Sequence, residues 1–371
     1  MERGPGLTPA EVERYARQLR LPELGLEGQL RLRHGSVLVA GAGGLGAPAA
    51  LYLVAAGVGR VGLADADAVE ASNLQRQVLF GEADLGRPKV EAARERLAGL
   101  NPGVRIEAHR ARLTAANALD LVGAYDVVLD GTDNFAAKYL LSDACVLADR
   151  PLVLGAISRF SGDVTVFGGA RGPCYRCLFP TPPAAGEAPD CGEAGVLGVV
   201  PGVIGALEAT EAIKLLLGRG RPLRGRLLRA DLLAATFREL EFERDPACPA
   251  CGESPTLTAL ADEPPACAAR AAEHSLEIAP AELRARLARG ERIVLLDVRE
   301  PWECAQDALA GARNIPLGQL TRRAGELDRE DEIVAYCGIG ARSAAAVAWL
   351  RSAGFARARS LGGGIEAWRE S

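Results

Sequence analysis

The sequence predicts an α/β protein in two units, and three features indicate this fold class. A short apolar run at residues 36–40 leads into a glycine-rich turn and a helical pattern. Strand and helix patterns then alternate up to residue 167, as they do in α/β proteins. A segment rich in alanine, proline and glutamate at residues 253–274 precedes a second, smaller set of strand and helix patterns. We therefore predict a first domain over residues 1–252, a linker, and a second domain over residues 275–371.

The glycine-rich turn, Gly41–Gly46, has the spacing G-x-G-x-x-G between a predicted buried strand, Ser36–Ala40, and a predicted helix, Pro48–Ala56. Glycine lets the backbone approach an anion, and the free N–H groups of the helix N-terminus bind it. Asp65 follows at the end of a second predicted strand, about 20 residues on, where an acidic side chain can hold a ribose. The pattern favours a nucleotide site over the alternative, which is a tight turn in any α/β fold. The first residues expected there are Gly41, Gly43, Gly44 and Asp65.

The other elements of the first unit are predicted from hydrophobic periodicity and turn residues. The predicted strands are Arg60–Asp65, Val104–Ala108, Tyr125–Asp130, Leu152–Ala156 and Asp163–Phe167. The predicted helices are an amphipathic surface helix over Pro9–Leu21, a helix over Val90–Leu100, and a buried helix within Val196–Leu217.

Polar residues follow the predicted strands Arg60–Asp65 and Tyr125–Asp130, which are the second and fourth strands when Ser36–Ala40 is counted as the first. Ser72–Gln77 has the sequence SNLQRQ, and Asp133 and Asn134 come after Tyr125–Asp130. In open α/β sheets, ligands bind beyond the carboxyl ends of the strands. Because a nucleotide loop is predicted on the first strand, the acidic ends of the second and fourth strands indicate Mg²⁺ bound to phosphates.

The composition is that of a globular protein, with 49% hydrophobic and 25% charged residues. A formal net charge of −5 and the lack of a long basic run argue against a nucleic-acid partner. The longest apolar stretch, Val196–Leu217, contains Pro201, Glu208, Glu211 and Lys214, whereas a bilayer span needs roughly 20 residues almost free of charge. Since the N-terminus has no signal-peptide pattern, we expect a cytoplasmic protein without a membrane segment.

The nine cysteines favour metal or thiol chemistry over disulfides in a cytosolic chain. Two C-x-x-C pairs predict a tetrahedral zinc site that joins distant segments of one domain. A redox role for a C-x-x-C pair is the alternative. The four predicted zinc ligands are Cys174, Cys177, Cys248 and Cys251.

Two further cysteines are candidate nucleophiles. Cys191 lies in a proline- and glycine-rich loop beside Asp190 and Glu193, so it is either a nucleophile or an exposed thiol whose pKa the acids would raise. Cys337 lies where a predicted strand, Glu332–Tyr336, turns into a predicted helix, Ala344–Leu350. Loop N–H groups and the helix dipole would stabilise a thiolate or persulfide there, although a buried structural cysteine is the alternative.

The chain resembles two known families. Over Arg14–Gly252 it resembles the ThiF/MoeB-type branch of the E1-like (ubiquitin-activating-like) adenylating enzymes, through the motifs RYARQ, GAGGLG, DAD, SNLQRQ, GRPK, GTDN, GPCYRCLFP, CGEAGVLG and CPAC. Over Ser275–Ser371 it resembles a rhodanese (sulfurtransferase) domain, through DVRE, GARNIPL, the C-x-x-G-x-R loop at Cys337, and LGGGIEAW. Together the two resemblances cover almost the whole chain. They imply a Rossmann-like adenylation domain with a four-cysteine zinc site, followed by a smaller α/β rhodanese domain.

The resemblance implies a reaction. A ubiquitin-like sulfur carrier protein ending in Gly-Gly would be adenylated by ATP, and sulfur would replace AMP to leave a thiocarboxylate. Attack of a carboxylate on a triphosphate brings like charges together, so Mg²⁺ and cationic side chains must neutralise them. The implied cofactors are ATP, Mg²⁺ and Zn²⁺, and the implied sulfur donor is a cysteine desulfurase or thiosulfate. Carriers of molybdopterin, thiamine, cysteine and tRNA-thiolation routes all fit this chemistry.

The resemblance also assigns residues, motif by motif. The implied nucleotide-binding residues are Gly41, Gly43, Gly44, Asp65, Ser72, Asn73, Leu74, Gln75, Arg76, Lys89, Asp133 and Asn134. The implied catalytic residues are Arg17, Arg76, Asp133, Cys191 and Cys337, with Asp133 holding Mg²⁺. Arg17 matches an arginine that reaches into the partner subunit's site, which implies a homodimer. Lys138 stands where an arginine is common in the family.

A sulfur relay is the resulting hypothesis. The Cys337 persulfide would attack the acyl-adenylate, and Cys191 would cleave the acyl disulfide to release the thiocarboxylate. Three other functions stay open. The chain could be a nicotinamide dehydrogenase, although SNLQRQ, GRPK and the C-x-x-C pairs argue against this. It could be a non-catalytic scaffold for a ubiquitin-like protein. It could also adenylate only, with sulfur delivered by another protein.

Overall fold

The structure is a computed structural model that describes residues 6–168, 172–182, 195–262 and 276–370. The chain folds into two compact units. The first unit contains the described residues up to 262, and the second contains those from 276 onward.

The first unit is built on an eight-stranded mixed sheet. Its strands are β1 (Ser36–Ala40), β2 (Arg60–Ala64), β3 (Arg105–His109), β4 (Val127–Asp130), β5 (Leu152–Ser158), β6 (Ser161–Phe167), β7 (Arg226–Asp231) and β8 (Thr236–Glu241). Their order is β3-β2-β1-β4-β5-β6-β7-β8. The pairs among the first five strands are parallel, and the remaining pairs are antiparallel. The parallel part is therefore the Rossmann-like sheet predicted by the sequence.

Helices cover both faces of this sheet. They are α1 (Pro9–Arg14), α2 (Ala16–Leu19), α3 (Gly25–His34), α4 (Gly46–Ala56), α5 (Lys89–Leu100), α6 (Ala118–Gly123), α7 (Phe135–Leu147), α8 (Tyr175–Leu178) and α9 (Val199–Leu217). Short 3₁₀ turns occur at Ala71–Asn73 and Glu82–Asp84. No helix in the described parts of the chain combines the length and apolar character needed to cross a bilayer.

Strand β1 shows how the core is organised, because all five of its residues are buried. Val37 and Val39 belong to a cluster with Leu53 of α4 and Ile204 of α9. Leu38 belongs to a second cluster on the other face of the sheet, which also contains residues of α6 and α7. A strand buried on both faces has a continuous apolar sequence, as Ser36–Ala40 does.

The position of β1 also determines where a ligand can bind. It lies between β2 and β4. Strands β2 and β3 are added on one side of β1, and strands β4 and β5 are added on the other side. The crevice beyond the carboxyl ends of β1 and β4 is the topological switch point, where ligands bind in open α/β sheets. The glycine-rich turn, Gly41–Gly46, begins there.

The predicted strands of the first unit are correct to within two residues at each end, but one predicted helix is wrong in detail. The helix expected over Pro9–Leu21 is divided into α1 and α2 at Tyr15. Tyr15, at the break, is buried, and its hydroxyl accepts a hydrogen bond of 2.9 Å from Asn101 Nδ2. Strands β7 and β8 were not predicted. The predicted linker, residues 253–274, is described only up to Asp262, whose Oδ1 accepts a hydrogen bond of 2.7 Å from Ala115 N.

The second unit is a five-stranded parallel sheet with the order β11-β10-β12-β13-β9. Its strands are β9 (Glu277–Ile278), β10 (Val294–Asp297), β11 (Arg313–Asn314), β12 (Ile333–Tyr336) and β13 (Ala358–Leu361). Its helices are α10 (Pro280–Ala288), α11 (Pro301–Gln306), α12 (Leu317–Arg323), α13 (Ala341–Ser352) and α14 (Gly364–Glu370), with a 3₁₀ turn at Ala324–Glu326. Two apolar clusters cover the two faces of the sheet. This unit is the smaller α/β unit expected from the sequence.

Candidate active site

The glycine loop turns sharply between β1 and α4, and two of its close contacts require glycine. Gly41 has φ +90°, in the left-handed region, and a Cβ there would lie 2.7 Å from Gly131 O. A Cβ on Gly46 would lie 1.9 Å from Gly41 O, which no side chain tolerates. The loop is therefore folded tightly on itself and on the turn that follows β4.

Asp65 supports this loop from the end of β2. Its Oδ2 accepts a hydrogen bond of 2.8 Å from Ala42 N, and its Oδ1 accepts one of 2.8 Å from Asp67 N. The side chain is half-buried at the mouth of the crevice. The carboxylate thus orients the glycine loop, in addition to the ribose contact that the sequence predicts for it.

The SNLQR segment lies next to the glycine loop. Arg76 donates a hydrogen bond of 2.9 Å from NH1 to Ser72 O, and its Cδ is 3.6 Å from the position of a Cβ on Gly44. Asn73 is buried, and its Oδ1 accepts a hydrogen bond of 3.3 Å from Glu70 N. The structure therefore brings Arg76 to the predicted phosphate site. Leu74 is half-buried and Gln75 is exposed in the same turn.

Lys89 begins α5 below the same segment. Its side chain is 8% exposed, and its Nζ is 3.3 Å from Asp67 Oδ2. A mostly buried ammonium group with one exposed carboxylate partner retains donors for another anion. The structure places the Lys89 ammonium group against Asp67, two residues after Asp65.

Asp133 and Asn134 are exposed at the carboxyl end of β4. Asn134 is the N-cap of α7, because its Oδ1 accepts a hydrogen bond of 2.9 Å from Ala137 N. Asn134 Nδ2 is 3.5 Å from Asp133 Oδ1, so the two side chains are adjacent. The carboxylate of Asp133 is exposed to solvent, so its oxygens are accessible to a cation such as Mg²⁺.

Arg17 is not with these residues. It lies on α2, and the neighbouring Gln18 donates a hydrogen bond of 3.1 Å to Ala56 O at the C-terminal end of α4. The glycine loop precedes the N-terminal end of the same helix. The 11 residues of α4 span about 16 Å, so Arg17 lies at the opposite end of α4 from its own glycine loop.

The two C-x-x-C pairs meet in one buried cluster, which was the sequence's prediction. The Sγ atoms of Cys174, Cys177, Cys248 and Cys251 all lie within 4.8 Å of one another. Three of the Sγ–Sγ distances are 3.9, 3.5 and 3.3 Å. Tetrahedral metal–sulfur bonds of about 2.3 Å separate sulfur atoms by about 3.8 Å, so the set fits one metal ion. The cluster joins the chain near α8 to the turn before residue 252.

Cys337 lies at the base of a backbone loop in the second unit. It follows β12, is 1% exposed, and its Sγ accepts a hydrogen bond of 3.2 Å from Gly340 N. Gly340 is the N-cap of α13, with φ +104°. The buried hydroxyl of Ser343 lies 3.7 Å from the same sulfur. Amide and hydroxyl donors around a sulfur at a helix N-terminus stabilise an anion on it.

Two ion pairs hold the surroundings of Cys337. Arg342, the arginine of the C-x-x-G-x-R loop, binds Glu303 through two hydrogen bonds of 2.7 Å, and this contact lowers the pKa of Glu303. Asp297 and Arg299 form a second, buried pair at the end of β10. Cys304 lies near Asp297, and burial followed by the Asp297 contact raises the pKa of its thiol to about 11. Cys304 is therefore protonated near neutral pH.

Cys191 was predicted as a site residue, and it lies outside the described residues. A buried polar group of Asp130, Lys138 and Glu208 lies behind the loop that carries Asp133, and the sequence analysis did not single it out as a site. The signals in the sequence were a glutamate inside the apolar stretch Val196–Leu217, the acidic strand end at Asp130, and Lys138 in place of an arginine.

Family comparisons match both units. The ThiF family matches residues 15–250, and the Rhodanese-like domain matches residues 279–371. The chain is 45% identical to the probable adenylyltransferase/sulfurtransferase MoeZ of Mycobacterium tuberculosis, over 99% of this chain and 95% of that protein. It is 54% identical to the sulfur carrier protein adenylyltransferase of Thermus thermophilus, over 71% of this chain and 99% of that protein. The adenylyltransferase and sulfurtransferase MOCS3 of Anopheles gambiae is 44% identical, over 97% of this chain and 87% of that protein.

A solved structure supports the fold of the first unit. The crystal structure of E. coli MccB with MccA-N7isoASN has a TM-score of 0.57 and 22% identity, over 64% of this chain and 74% of that chain. At that identity the likeness concerns the fold alone. The chain belongs to the ThiF family and carries a Rhodanese-like domain at residues 279–371.

Proposed function

We propose that this protein is an adenylyltransferase and sulfurtransferase that activates the C-terminal Gly-Gly carboxylate of a ubiquitin-like sulfur carrier protein with ATP and converts it to a thiocarboxylate. The observation that carries the proposal is that one chain holds both sites. Cationic and acidic groups surround the glycine loop of the first unit, and Cys337 lies in an amide-lined loop of the second. Adenylation is assigned to the domain over residues 1–252 and sulfur transfer to the domain over residues 275–371.

The first step needs charge neutralisation. The carrier carboxylate attacks the α-phosphate of ATP, which gives an acyl-adenylate and pyrophosphate. Arg76 and Lys89 supply positive charge beside the glycine loop, and Asp65 lies where it can hold the ribose. Asp133 would hold Mg²⁺, which neutralises phosphate charge when it is bound.

The second step needs a sulfur nucleophile. A persulfide on Cys337 attacks the acyl carbon, AMP leaves, and the carrier is joined to Cys337 through an acyl disulfide. The thiolate of Cys191 then attacks the Cys337 sulfur. The bond between the two sulfurs of the acyl disulfide breaks, the thiocarboxylate leaves, and a Cys191–Cys337 disulfide remains for cellular thiols to reduce. The amide of Gly340 and the hydroxyl of Ser343 support sulfur anions at Cys337 in this scheme. The persulfide itself comes from a cysteine desulfurase or thiosulfate.

The cysteine cluster is proposed to be a structural zinc site. Its four sulfurs occupy every position of a tetrahedron, so no position is open for a substrate. Burial, the largest cause, raises the pKa of Cys174, and neighbouring thiols add to this. A bound cation would reverse that tendency by favouring the thiolates.

A homodimer is proposed from the position of Arg17, together with the resemblance noted above. Because Arg17 and the glycine loop lie at opposite ends of α4, this arginine is suited to another subunit's site rather than its own. The protein is proposed to act in the cytoplasm, where free thiols are maintained.

Mixed dimers test Arg17 directly. Arg17→Ala and Asp133→Asn are each expected to abolish carrier-dependent ATP–pyrophosphate exchange. If Arg17 acts in the partner's site, half of the randomly mixed dimers contain one intact site, and the mixture recovers about one quarter of the unsubstituted activity. No recovery would contradict the role of Arg17 across a dimer.

The adenylation proposal has its own test in the same assay. Exchange should require the carrier and Mg-ATP, and it should be lost in Asp133→Asn but retained in Asp120→Asn. Asp120 is an exposed aspartate on α6, so it is the matched control. Failure of exchange with every Gly-Gly carrier would favour the scaffold hypothesis instead.

A further inference from the structure

Three titratable side chains are buried together behind the loop that carries Asp133. They are Asp130 at the end of β4, Lys138 on α7 and Glu208 on α9. Asp130 and Glu208 are fully buried, and Lys138 is 8% exposed. Burying such groups costs free energy unless they are paired or neutral, so the arrangement has to be explained.

Asp130 fixes the start of the loop. Its Oδ1 accepts hydrogen bonds of 2.9 Å from Thr132 N and 2.6 Å from Thr132 Oγ1. The residue between them, Gly131, is packed against the glycine loop: a Cβ on it would lie 2.8 Å from Gly41 O. A shift of the Asp130 carboxylate would therefore move the loop relative to the glycine loop.

Lys138 fixes the other end of this loop, where α7 begins. Its Nζ donates a hydrogen bond of 3.1 Å to Asp130 Oδ2 and one of 3.0 Å to Gly155 O on β5. Lys138 belongs to the first turns of α7, which Asn134 caps. The ammonium group thus ties the start of α7 to the end of β4 and to the middle of β5, and it neutralises Asp130.

Glu208 lies against Gly155 as well. A Cβ on Gly155 would lie 2.6 Å from Glu208 Cδ, so the carboxyl group rests directly on the strand. Among the described residues, neither carboxyl oxygen of Glu208 has a hydrogen-bond partner, and both are buried. Burial, the largest cause, raises the pKa of Glu208 well above its usual range, and the charge of Asp130 raises it further, while Lys138 and the backbone of Gly155 oppose this. Lys138 is hydrogen-bonded to Asp130, so it is the counter-charge of that carboxylate.

We propose that Asp130, Lys138 and Glu208 are positioning residues that set the loop at residues 131–134, and with it Asp133 and Asn134, at a fixed distance from the glycine loop. This inference rests on the proposed function, because that proposal gives Asp133 and Asn134 their nucleotide and cation contacts. Asp130 and Lys138 form a neutral pair that holds both ends of the loop. The side chain of Glu208 fills the space beside Gly155.

A mild variant tests the role without leaving a buried charge unpaired. Thr132→Val removes one of the two hydrogen bonds to Asp130 Oδ1 and retains the backbone bond. The control, Thr210→Val, removes a hydrogen bond of 2.8 Å to Ala206 O on the exposed side of α9. The probe is Mn²⁺ with ATP, and its binding to the full-length protein is measured by the electron paramagnetic resonance signal of Mn²⁺. We expect Thr132→Val to weaken binding about tenfold, an effect of about 1.4 kcal/mol, and Thr210→Val to change it less than twofold.

The lysine and the glutamate are tested by conservative replacement. Lys138→Met should lower Mn–ATP affinity at least as much as Thr132→Val, and Lys138→Arg should rescue it, because arginine restores the charge. Glu208→Gln retains the shape of the side chain that packs against Gly155, so it should lower the affinity less than Lys138→Met does. A loss in Glu208→Gln as large as that in Lys138→Met would overturn the packing role of Glu208.

The proposed function and the positioning role can fail separately. If the unsubstituted protein does not bind Mn–ATP, the proposed function fails and the positioning role falls with it. If the unsubstituted protein binds and Asp133→Asn weakens binding, but Thr132→Val behaves like Thr210→Val, only the positioning role is overturned.

Discussion

Replacing Asp297 with asparagine should destabilise the second unit strongly, because it leaves a buried guanidinium without its counter-charge. Asp297 is 1% exposed and Arg299 is 5% exposed. Arg299 donates a hydrogen bond of 3.0 Å from Nε to Oδ1 and one of 2.7 Å from NH2 to Oδ2 of Asp297. An asparagine oxygen can accept one of these bonds, but it cannot balance the charge.

The expected loss follows from this burial. Removing one partner of a buried ion pair costs about 3–5 kcal/mol of unfolding free energy. The lower end applies here because Arg299 keeps its hydrogen bond of 2.6 Å to Asp307 O. A loss of about 3 kcal/mol lowers the urea midpoint of a unit of this size by about 2 M.

The assay can be performed on the intact chain. The chain has three tryptophans, Trp302, Trp349 and Trp368, and all three lie in the second unit. Tryptophan fluorescence during urea unfolding therefore reports this unit. The control is Asp328→Asn, at an exposed aspartate whose Oδ1 caps Glu330 N, since an asparagine oxygen can accept the same bond.

The pH dependence provides a second readout with a defined sign. Burial opposes the charged form of Asp297, but the Arg299 hydrogen bonds outweigh it and lower the pKa. The stabilisation is therefore complete above the unfolded pKa of about 3.9, and it is lost as pH falls through the lower folded value. The difference between the unsubstituted protein and Asp297→Asn should shrink as the solution is acidified below about pH 4. Equal midpoints for Asp297→Asn and Asp328→Asn at neutral pH would refute the reasoning.

Three further predictions concern the proposed sites. Cys337→Ser should abolish thiocarboxylate formation while carrier-dependent ATP–pyrophosphate exchange continues, and loss of both activities would contradict the separation of the two steps. Cys251→Ser should reduce the zinc content measured by mass spectrometry and lower the unfolding temperature, whereas Cys304→Ser should leave the zinc content unchanged. Gly46→Ala should reduce Mg-ATP binding more than tenfold, because its Cβ would lie 1.9 Å from Gly41 O, whereas Gly99→Ala, with no atom within 4 Å of its Cβ, should bind normally.

The sequence was most informative where a local pattern determines a backbone path. The apolar run of Ser36–Ala40 identified β1 because a strand buried on both faces has no polar positions. The spacing of the two C-x-x-C pairs identified the cysteine cluster, although 74 residues separate the pairs, because four thiols in one fold have few other uses. The α/β class of both units followed from the alternation of strands and helices.

The structural features that the sequence did not predict depend on tertiary packing. The helix break lies at Tyr15, whose buried ring and hydrogen bond from Asn101 involve residues that are distant in sequence. Strand β8 was missed because it is exposed along its whole length and has no buried face to produce a pattern. Strand β7 has only two buried residues, Arg226 and Ala230, and does not alternate regularly. Glu208 was noted only as an interruption of an apolar stretch, since its contact with Gly155 exists only in the fold.

The central claim is that one chain both adenylates a carrier and supplies its sulfur. The most direct measurement is the intact mass of a Gly-Gly carrier after incubation with the protein, Mg-ATP and thiosulfate. The account predicts a mass gain equal to the replacement of one oxygen by sulfur, and it predicts that this gain disappears with Cys337→Ala. A carrier that gains sulfur equally well with Cys337→Ala would contradict the account.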